Sequence, residues 1–348
     1  MLFENGFLTM NMIEFKVEKA QAFLQENNIA SSEITKIAGD ASFRSYYRVL
    51  SGEKKYILMF APPGFEDVEP FIKIDHFLVE KGFSAPKIIA LDESLGFLLL
   101  EDLGDGTYSK VLASDVSQEL ELYKKATDCL IELHAIKESP KNMLTYNHDL
   151  LLREVMLFVD WFVPFKKSTM SLDEIAAFKR SWMMLFDNLG QFAAAIDKNK
   201  NNEEPVLVLR DYHADNLMFL PDRKGTNQVG LLDFQDAVIG SRAYDLVSLL
   251  EDARRDVSPE NRIKVMEYYL ENANCDVEAF KNDYEILSLQ RNIKIVGIFS
   301  RLSVRDGKDH YLDFLPRVLN FITLRLESKN PVLSPILSDI AKLIKKFI

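Results

Sequence analysis

The chain is poor in the residues that mark a metal cage, a disulfide framework or a membrane anchor. Only two cysteines and five histidines occur among 348 residues. Cys129 and Cys275 lie far apart in segments that read as helix. Both are expected in the core of a protein from a reducing compartment, with neither a disulfide framework nor a zinc site. None of His76, His134, His148, His213 and His310 has a partner at ligand spacing. No apolar run approaches the ~18 residues of a membrane span, and the opening MLFENGFLTMNM carries an early acid and no basic region, unlike a signal peptide. Positive charge is also short. With 42 Lys and Arg against 53 Asp and Glu, the formal net charge is −11, which disfavours nucleic acid or an anionic membrane as partner. A small-molecule substrate, a cytoplasmic location and a monomer are expected.

What is present is an apolar fraction of 47%, enough for a buried core, and length enough for two lobes. The richest stretch is 205–250. Its runs VLVL (206–209) and VGLLDF (229–234) read as short buried strands bounded by polar or turn residues. Asp211 and Asn216 follow the first run in a loop too polar for core, and the second ends on Asp233. If the two strands pair, three oxygen-bearing side chains converge at one end of a small ribbon. That arrangement suits Mg²⁺, a hard cation completed by water and substrate phosphates.

Upstream, 13–27 places Ile13, Val17, Ala20, Phe23 and Leu24 on one helical face. Residues 34–62 read as a β-meander, and its first turn, Gly39-Asp40-Ala41-Ser42, can turn consecutive amides toward an anion. A helix over 67–81 points Phe71, Ile74, Phe77 and Leu78 inward, and the strands PKIIALD and GFLLLED follow. After Gly106 the pattern is helical, over 119–136, 150–165 and 171–196. Trp161, Phe162, Phe165 and Trp182 are candidates for lining a cleft, or simply for core.

The spacing D-x-x-x-x-N followed by a strand ending D-F resembles the catalytic and metal-binding signature of the protein-kinase-like fold. It is closer to the aminoglycoside and choline phosphotransferases, whose loop reads roughly H-G-D-x-H-x-x-N and whose second motif reads I-D-W/F-x-x-A…G…Y-D-L. RDYHADN (210–216) and LDFQDAVIGSRAYDL (232–246) fill those slots. Longer segments resemble one branch, the bacterial anomeric N-acetylmuramate/N-acetylglucosamine kinases of cell-wall recycling. These include GDASFRSYYRV (39–49), LMFAPPGFEDVEPF (58–71), LLLEDLGDGTY (98–108), LLEDARRDV (249–257) and residues 290–318. The resemblance implies an α+β, protein-kinase-like two-lobe fold, with a small antiparallel-sheet N-lobe and a mainly helical C-lobe. On that plan 1–12 is a flexible extension, 13–101 the nucleotide-binding N-lobe, 102–107 a hinge, and 108–348 the catalytic and sugar-binding C-lobe. It also implies ATP and Mg²⁺ as cofactors and an amino sugar phosphorylated on its 1-hydroxyl.

Carried onto this sequence, the resemblance makes Asp211 the base for the substrate hydroxyl and Asn216 and Asp233 the holders of Mg²⁺. Gly39, Asp40, Ala41 and Ser42 would cover the phosphates, and Glu101 and Leu103 would border adenine at the hinge. Met59 stands where kinases carry the lysine that meets the α and β phosphates. Arg44 and Arg48 are candidates for the missing cation; Lys54 and Lys55 read as solvated turn residues. His213 either braces the loop or touches phosphate. Asp245 is expected to support the loop by accepting its backbone amides. Arg254 and Arg255 suit a lactyl carboxylate, because arginine offers a bidentate fork; the alternative is a solvated helix end beside Glu251, Asp252 and Asp256. Arg301, Arg305 and Lys308 form another basic cluster. Two other functions stay open: an aminoglycoside- or choline-type phosphotransferase, and a nucleotide-binding pseudokinase serving as an interaction module.

Overall fold

A computed structural model describes residues 15–31, 33–37, 43–192 and 204–348. The expected extension over 1–12 lies outside them. The chain divides into two compact units, one built from the residues up to Lys110 together with Asn216–Asp236, the other from Val111–Asp215 and Ala237–Ile348. Among the described residues no helix is long and apolar enough to cross a membrane.

In the first unit, helix α1 (Val17–Glu26) precedes strands β1 (Glu33–Lys36), β2 (Ser45–Ser51) and β3 (Lys54–Phe60), then helix α2 (Glu69–Glu80) and strands β4 (Ile88–Asp92) and β5 (Phe97–Glu101). The strands form one antiparallel sheet in the order β1-β2-β3-β5-β4. Period-two alternation sends Tyr47, Val49, Leu58, Phe60, Phe97 and Leu99 to one face, where they pack with Ala20, Phe23 and Leu24 of α1. The register pairs Tyr47 with Leu58, Leu58 with Leu99 and Phe60 with Phe97, so a one-residue slip would turn this whole set outward. Each large apolar side chain buried there contributes about 1.5–3 kcal/mol.

The strands β6 (Val206–Val208), β7 (Leu217–Phe219), β8 (Val229–Leu231) and β9 (Val238–Gly240) correct one expectation. VLVL and VGLLDF do not pair with each other. β6 pairs with β9 and β8 with β7, both antiparallel. The two partner strands are only three residues long, and β7–β8 forms an inner hairpin flanked in sequence by the β6–β9 pair. The inner hairpin β7–β8 also departs from a C-lobe running unbroken from 108. It joins the first unit because its backbone is bonded there: the Phe219 amide donates to the Gly106 carbonyl at 2.8 Å and the Leu231 amide to the Ser84 carbonyl at 2.9 Å.

The second unit is helical, with α3 (Tyr108–Ser114) leading into it, then α4 (Glu119–Ala135), α5 (His148–Leu157), α6 (Leu172–Phe186), α7 (Ala243–Leu250), α8 (Pro259–Asn272), α9 (Val277–Asp306), α10 (Leu315–Leu326) and α11 (Ser334–Ile344). The expected helix over 171–196 stops at Phe186, and 193–196 lie outside the described residues. The 30-residue α9 is the spine, packed by α5, α7 and α10. Asp276 caps its start by accepting the Ala279 amide, and Gly307, at φ 65°, ends it in the left-handed conformation that glycine tolerates. Midway, a Cβ on Gly297 would lie 2.4 Å from the Leu157 carbonyl carbon, so only glycine lets the end of α5 seat against α9. Directly after Leu157 the helix widens into a π-turn over Phe158–Phe162. Cys129 is buried in α4 as expected, but Cys275 is only half-buried. It sits in the turn before α9, where Asp276 interrupts the helical pattern.

Candidate active site

In the first unit the β7–β8 hairpin brings Asn216 and Asp233 together. Asn216 precedes β7, and its carbonyl accepts the Leu232 amide at 3.0 Å. Its side-chain Nδ2 lies 3.4 Å from Asp233 Oδ2, while Gln235 Nε2 donates to Asp233 Oδ1 at 2.8 Å. β8 ends at Leu231, so Asp233 stands two residues beyond the ladder rather than at its end, with φ at 57°. Left-handed backbone at a non-glycine residue is a strained state that clusters at functional sites. Phe234 anchors the turn by stacking on Phe71 of α2, ring centroids 5.1 Å apart. Among the described residues no group of three or more His, Cys, Asp or Glu side chains could hold a metal ion. One carboxylate and one side-chain amide, whose oxygen is the ligating atom it can offer, make a hard but incomplete donor set. It fits an ion such as Mg²⁺ that keeps water and takes phosphate oxygens, and does not fit an all-protein cage.

The remaining residues of this unit sort themselves by their partners. Gly39, Asp40, Ala41 and Ser42 lie outside the described residues. Arg48 makes a forked bond to Asp102 (2.7 and 3.1 Å) and reaches Asp105 at 3.0 Å, so its guanidinium is engaged by the segment after β5. Arg44 pairs with Glu66 at 3.2 Å. The Glu101 carboxylate accepts from Arg223 at 2.7 Å and its amide donates to the Lys87 carbonyl. Half-buried Leu103 approaches Gly230, where a Cβ would fall 3.1 Å from its Cδ1. Met59 is fully buried, paired across the sheet with Tyr46 and Leu98.

Sequence reasoning left the acid of α2 unnamed. The buried acid there is Asp75, whose two oxygens find no hydrogen-bond partner among the described residues. Burial, reinforced by the Glu101 charge, pushes its carboxyl up to about 7. Its signal was available, since Asp75 falls four residues after Phe71 on the apolar stripe of the helix.

In the second unit, Asp211 lies in the loop after β6. Asp245, buried in the first turn of α7, accepts the amides of Leu209 and Arg210 at 2.7 and 2.8 Å. Burial raises its carboxyl to about 7 despite those two bonds; Asp211 adds to the rise and Arg291 opposes it. Asp211 is half-buried; its desolvation alone would push the carboxyl up, yet Lys294, Arg291 and Arg210 outweigh that and hold it below the usual range. It is ionised at neutral pH, as a base must be.

His213 faces Arg254, with Nε2 3.1 Å from Nη1. A guanidinium only donates, so Nε2 accepts and the ring proton sits on Nδ1. Burial holds the imidazole down, and the nearby Arg254 adds to that against the pull of Asp252. The Arg254 amide donates to Asp252 at 2.8 Å, and its side chain remains 32% exposed near Asp215. Arg255 is differently placed. It donates to Glu119 at 2.6 Å, and Glu119 also accepts from Asn261 and from the Ser258 amide. Arg305 pairs with Asp306, whereas the half-buried Arg301 has an Nε without a partner among the described residues.

Sequence reasoning missed the polar layer behind the loop. Glu154 of α5 and Arg291 and Lys294 of α9 carry side chains held inside the unit, and Lys294 Nζ lies 3.2 Å from Glu154 and 3.2 Å from the Tyr244 hydroxyl. The available signal was the polar run QRNIK (290–294) inside the apolar middle of that helix, between EILSL and IVGIF.

Over residues 33–280 the chain matches the family model described as the phosphotransferase enzyme family. It is 35% identical over 335 residues to an N-acetylmuramate/N-acetylglucosamine kinase of Caulobacter vibrioides, covering 85% of this chain and 88% of that one. It is 33% identical over 325 residues to a Neisseria meningitidis serogroup B protein of the same name, covering 90% and 91%. Among solved structures it resembles ADP-bound aminoglycoside phosphotransferase APH(2'')-Ib, with TM-score 0.58, 16% identity and coverage of 89% and 99%. It also resembles choline kinase LicA from Streptococcus pneumoniae, with TM-score 0.61, 12% identity and coverage of 88% and 98%. At such identities the two structures establish a shared fold.

Proposed function

Because this chain belongs to the phosphotransferase enzyme family, we propose that it transfers the γ-phosphoryl group of ATP to the anomeric 1-hydroxyl of a small amino sugar, N-acetylmuramate or N-acetylglucosamine. The observation that carries the reading is a half-buried, ionised Asp211 in a loop whose amides are gathered by Asp245. Four relatives 33–35% identical to the chain, each named for those two sugars, supply the acceptor.

In this reading Asp211 orients the sugar hydroxyl and takes its proton as the oxygen attacks phosphorus. Asn216 and Asp233 would hold Mg²⁺, which when bound offsets the charge on the phosphates. Neutral His213, fixed by Arg254, braces the loop rather than serving as a second acid. Arg254, half-buried and shared with His213 and Asp215, is the arginine assigned to the carboxylate of N-acetylmuramate, while Arg255 serves Glu119. The hinge backbone at Glu101 and Leu103 and the turn Gly39–Ser42, with Arg44 beside it, complete the nucleotide side. The reaction is placed in the cytoplasm, where ATP is abundant, and in a monomer.

Incubation of the purified protein with ATP, Mg²⁺ and, in turn, N-acetylmuramate, N-acetylglucosamine, choline and an aminoglycoside tests this through ADP release. Turnover is expected with the amino sugars. Turnover with only choline or the aminoglycoside would overturn the acceptor assignment, and none with any acceptor would favour a pseudokinase.

A further inference from the structure

Arg210, the residue immediately before Asp211, has φ at 71°, a conformation in which a Cβ crowds the backbone and which glycine adopts freely. The H-G-D pattern of the aminoglycoside and choline phosphotransferases puts glycine in this slot. Here the same loop carries arginine, and the strain must be held by something else. The amide of Arg210 is fixed on Asp245. Its guanidinium forms an ion pair with Glu154 of α5 and lies over the Tyr146 ring, 5.5 Å from the centroid.

Glu154 is itself immobilised. It accepts from the Tyr146 hydroxyl, from Gln290 Nε2 at 2.9 Å and from Lys294 Nζ at 3.2 Å, and Tyr146 packs edge-on against Tyr244, 5.2 Å away. Burial pushes the Glu154 carboxyl up, but Lys294 and Arg210 outweigh it, so the group is ionised. A buried ion pair of this kind is weak support for stability, since well-packed apolar side chains are often as good. Its better-attested use is to specify one conformation.

We propose that Glu154 is a positioning residue for phosphoryl transfer, gripping the Arg210 side chain so that the backbone leading into Asp211 stays left-handed and the base stays aimed. The proposal rests on Asp211 being the base, and it adds Glu154, 56 positions before Arg210 in sequence, as a residue that acts through the Arg210 side chain.

The test is steady-state kinetics on full-length variants, with circular dichroism and thermal melts to verify folding. Glu154→Gln keeps the shape but loses the charge. It is expected to lower kcat by roughly 10- to 100-fold while KM for ATP stays within about 2-fold, as a misplaced base would. Combining it with Arg210→Gly should recover most of that loss relative to Arg210→Gly alone, because glycine needs no grip. Combining it with Arg210→Ala should not.

An unchanged kcat in Glu154→Gln overturns the proposal. So does rescue by alanine equal to rescue by glycine, or no rescue by glycine. If Glu154→Gln fails to fold, Arg210→Gly and Arg210→Ala are compared with Glu154 intact. The glycine form is then expected to retain roughly 10-fold higher kcat, following the cost of a left-handed Cβ, and equal rates would overturn the proposal. Full turnover in Asp211→Asn would instead defeat the base assignment beneath it.

Discussion

At the scale of single residues, the account turns on which carboxylates are ionised. Asp211 is held charged by the cations around it, so Asp211→Asn should lower kcat by about 10²–10⁴-fold. ATP should still raise the melting temperature of that variant by as much as for the parent, and unchanged turnover would refute the assignment. Asp75 behaves in the opposite way. Its folded carboxyl titrates at about 7, against about 4 in an unfolded chain. The folded state therefore binds the extra proton between those values, so this contribution to stability is full below about pH 4 and is lost as pH rises through 7. Asp75→Asn removes that titration. It should raise stability by ~1–3 kcal/mol at pH 8 and by less at pH 5, and an equal gain at both would contradict the burial argument. The candidates Asp211, Asn216 and Asp233 could be picked out in the sequence because all three fall within 211–233, just after short apolar runs. Arg255 was not, because Glu119, the partner that engages it, is 136 residues away and only the packed helices bring the two together.

At the scale of elements, the sheet of the first unit was legible because its strands are runs of five to seven residues rich in aromatic and aliphatic side chains, bounded by turn residues. The ribbon around the site was not. Strands of three residues carry no period, and their pairing is settled by backbone bonds to Ser84, Gly106 and Asn216 that no local pattern announces. The seating of α5 on α9 was equally silent, because Gly297 within a helix reads only as a weak point. Gly297→Ala should cost about 1–3 kcal/mol in urea denaturation, since its Cβ would meet Leu157 backbone that cannot rotate aside. Wild-type stability in that variant would show that α5 and α9 are looser than described.

At the scale of the whole molecule, the acidic net charge disfavoured nucleic acid and anionic membranes as partners but named no substrate. Two motifs in the right order named phosphoryl transfer. The acceptor was legible only through longer resemblances, because recognition of a sugar is spread over side chains from several helices with no fixed spacing. The central claim is the position of the new phosphate. The most direct measurement is NMR of the product made from N-acetylglucosamine, ATP and Mg²⁺, with its lability to acid and alkali. The account predicts phosphorus coupled to the anomeric proton and carbon in an ester that survives alkali and is released by mild acid; phosphate on C6, or no sugar phosphate at all, would contradict it.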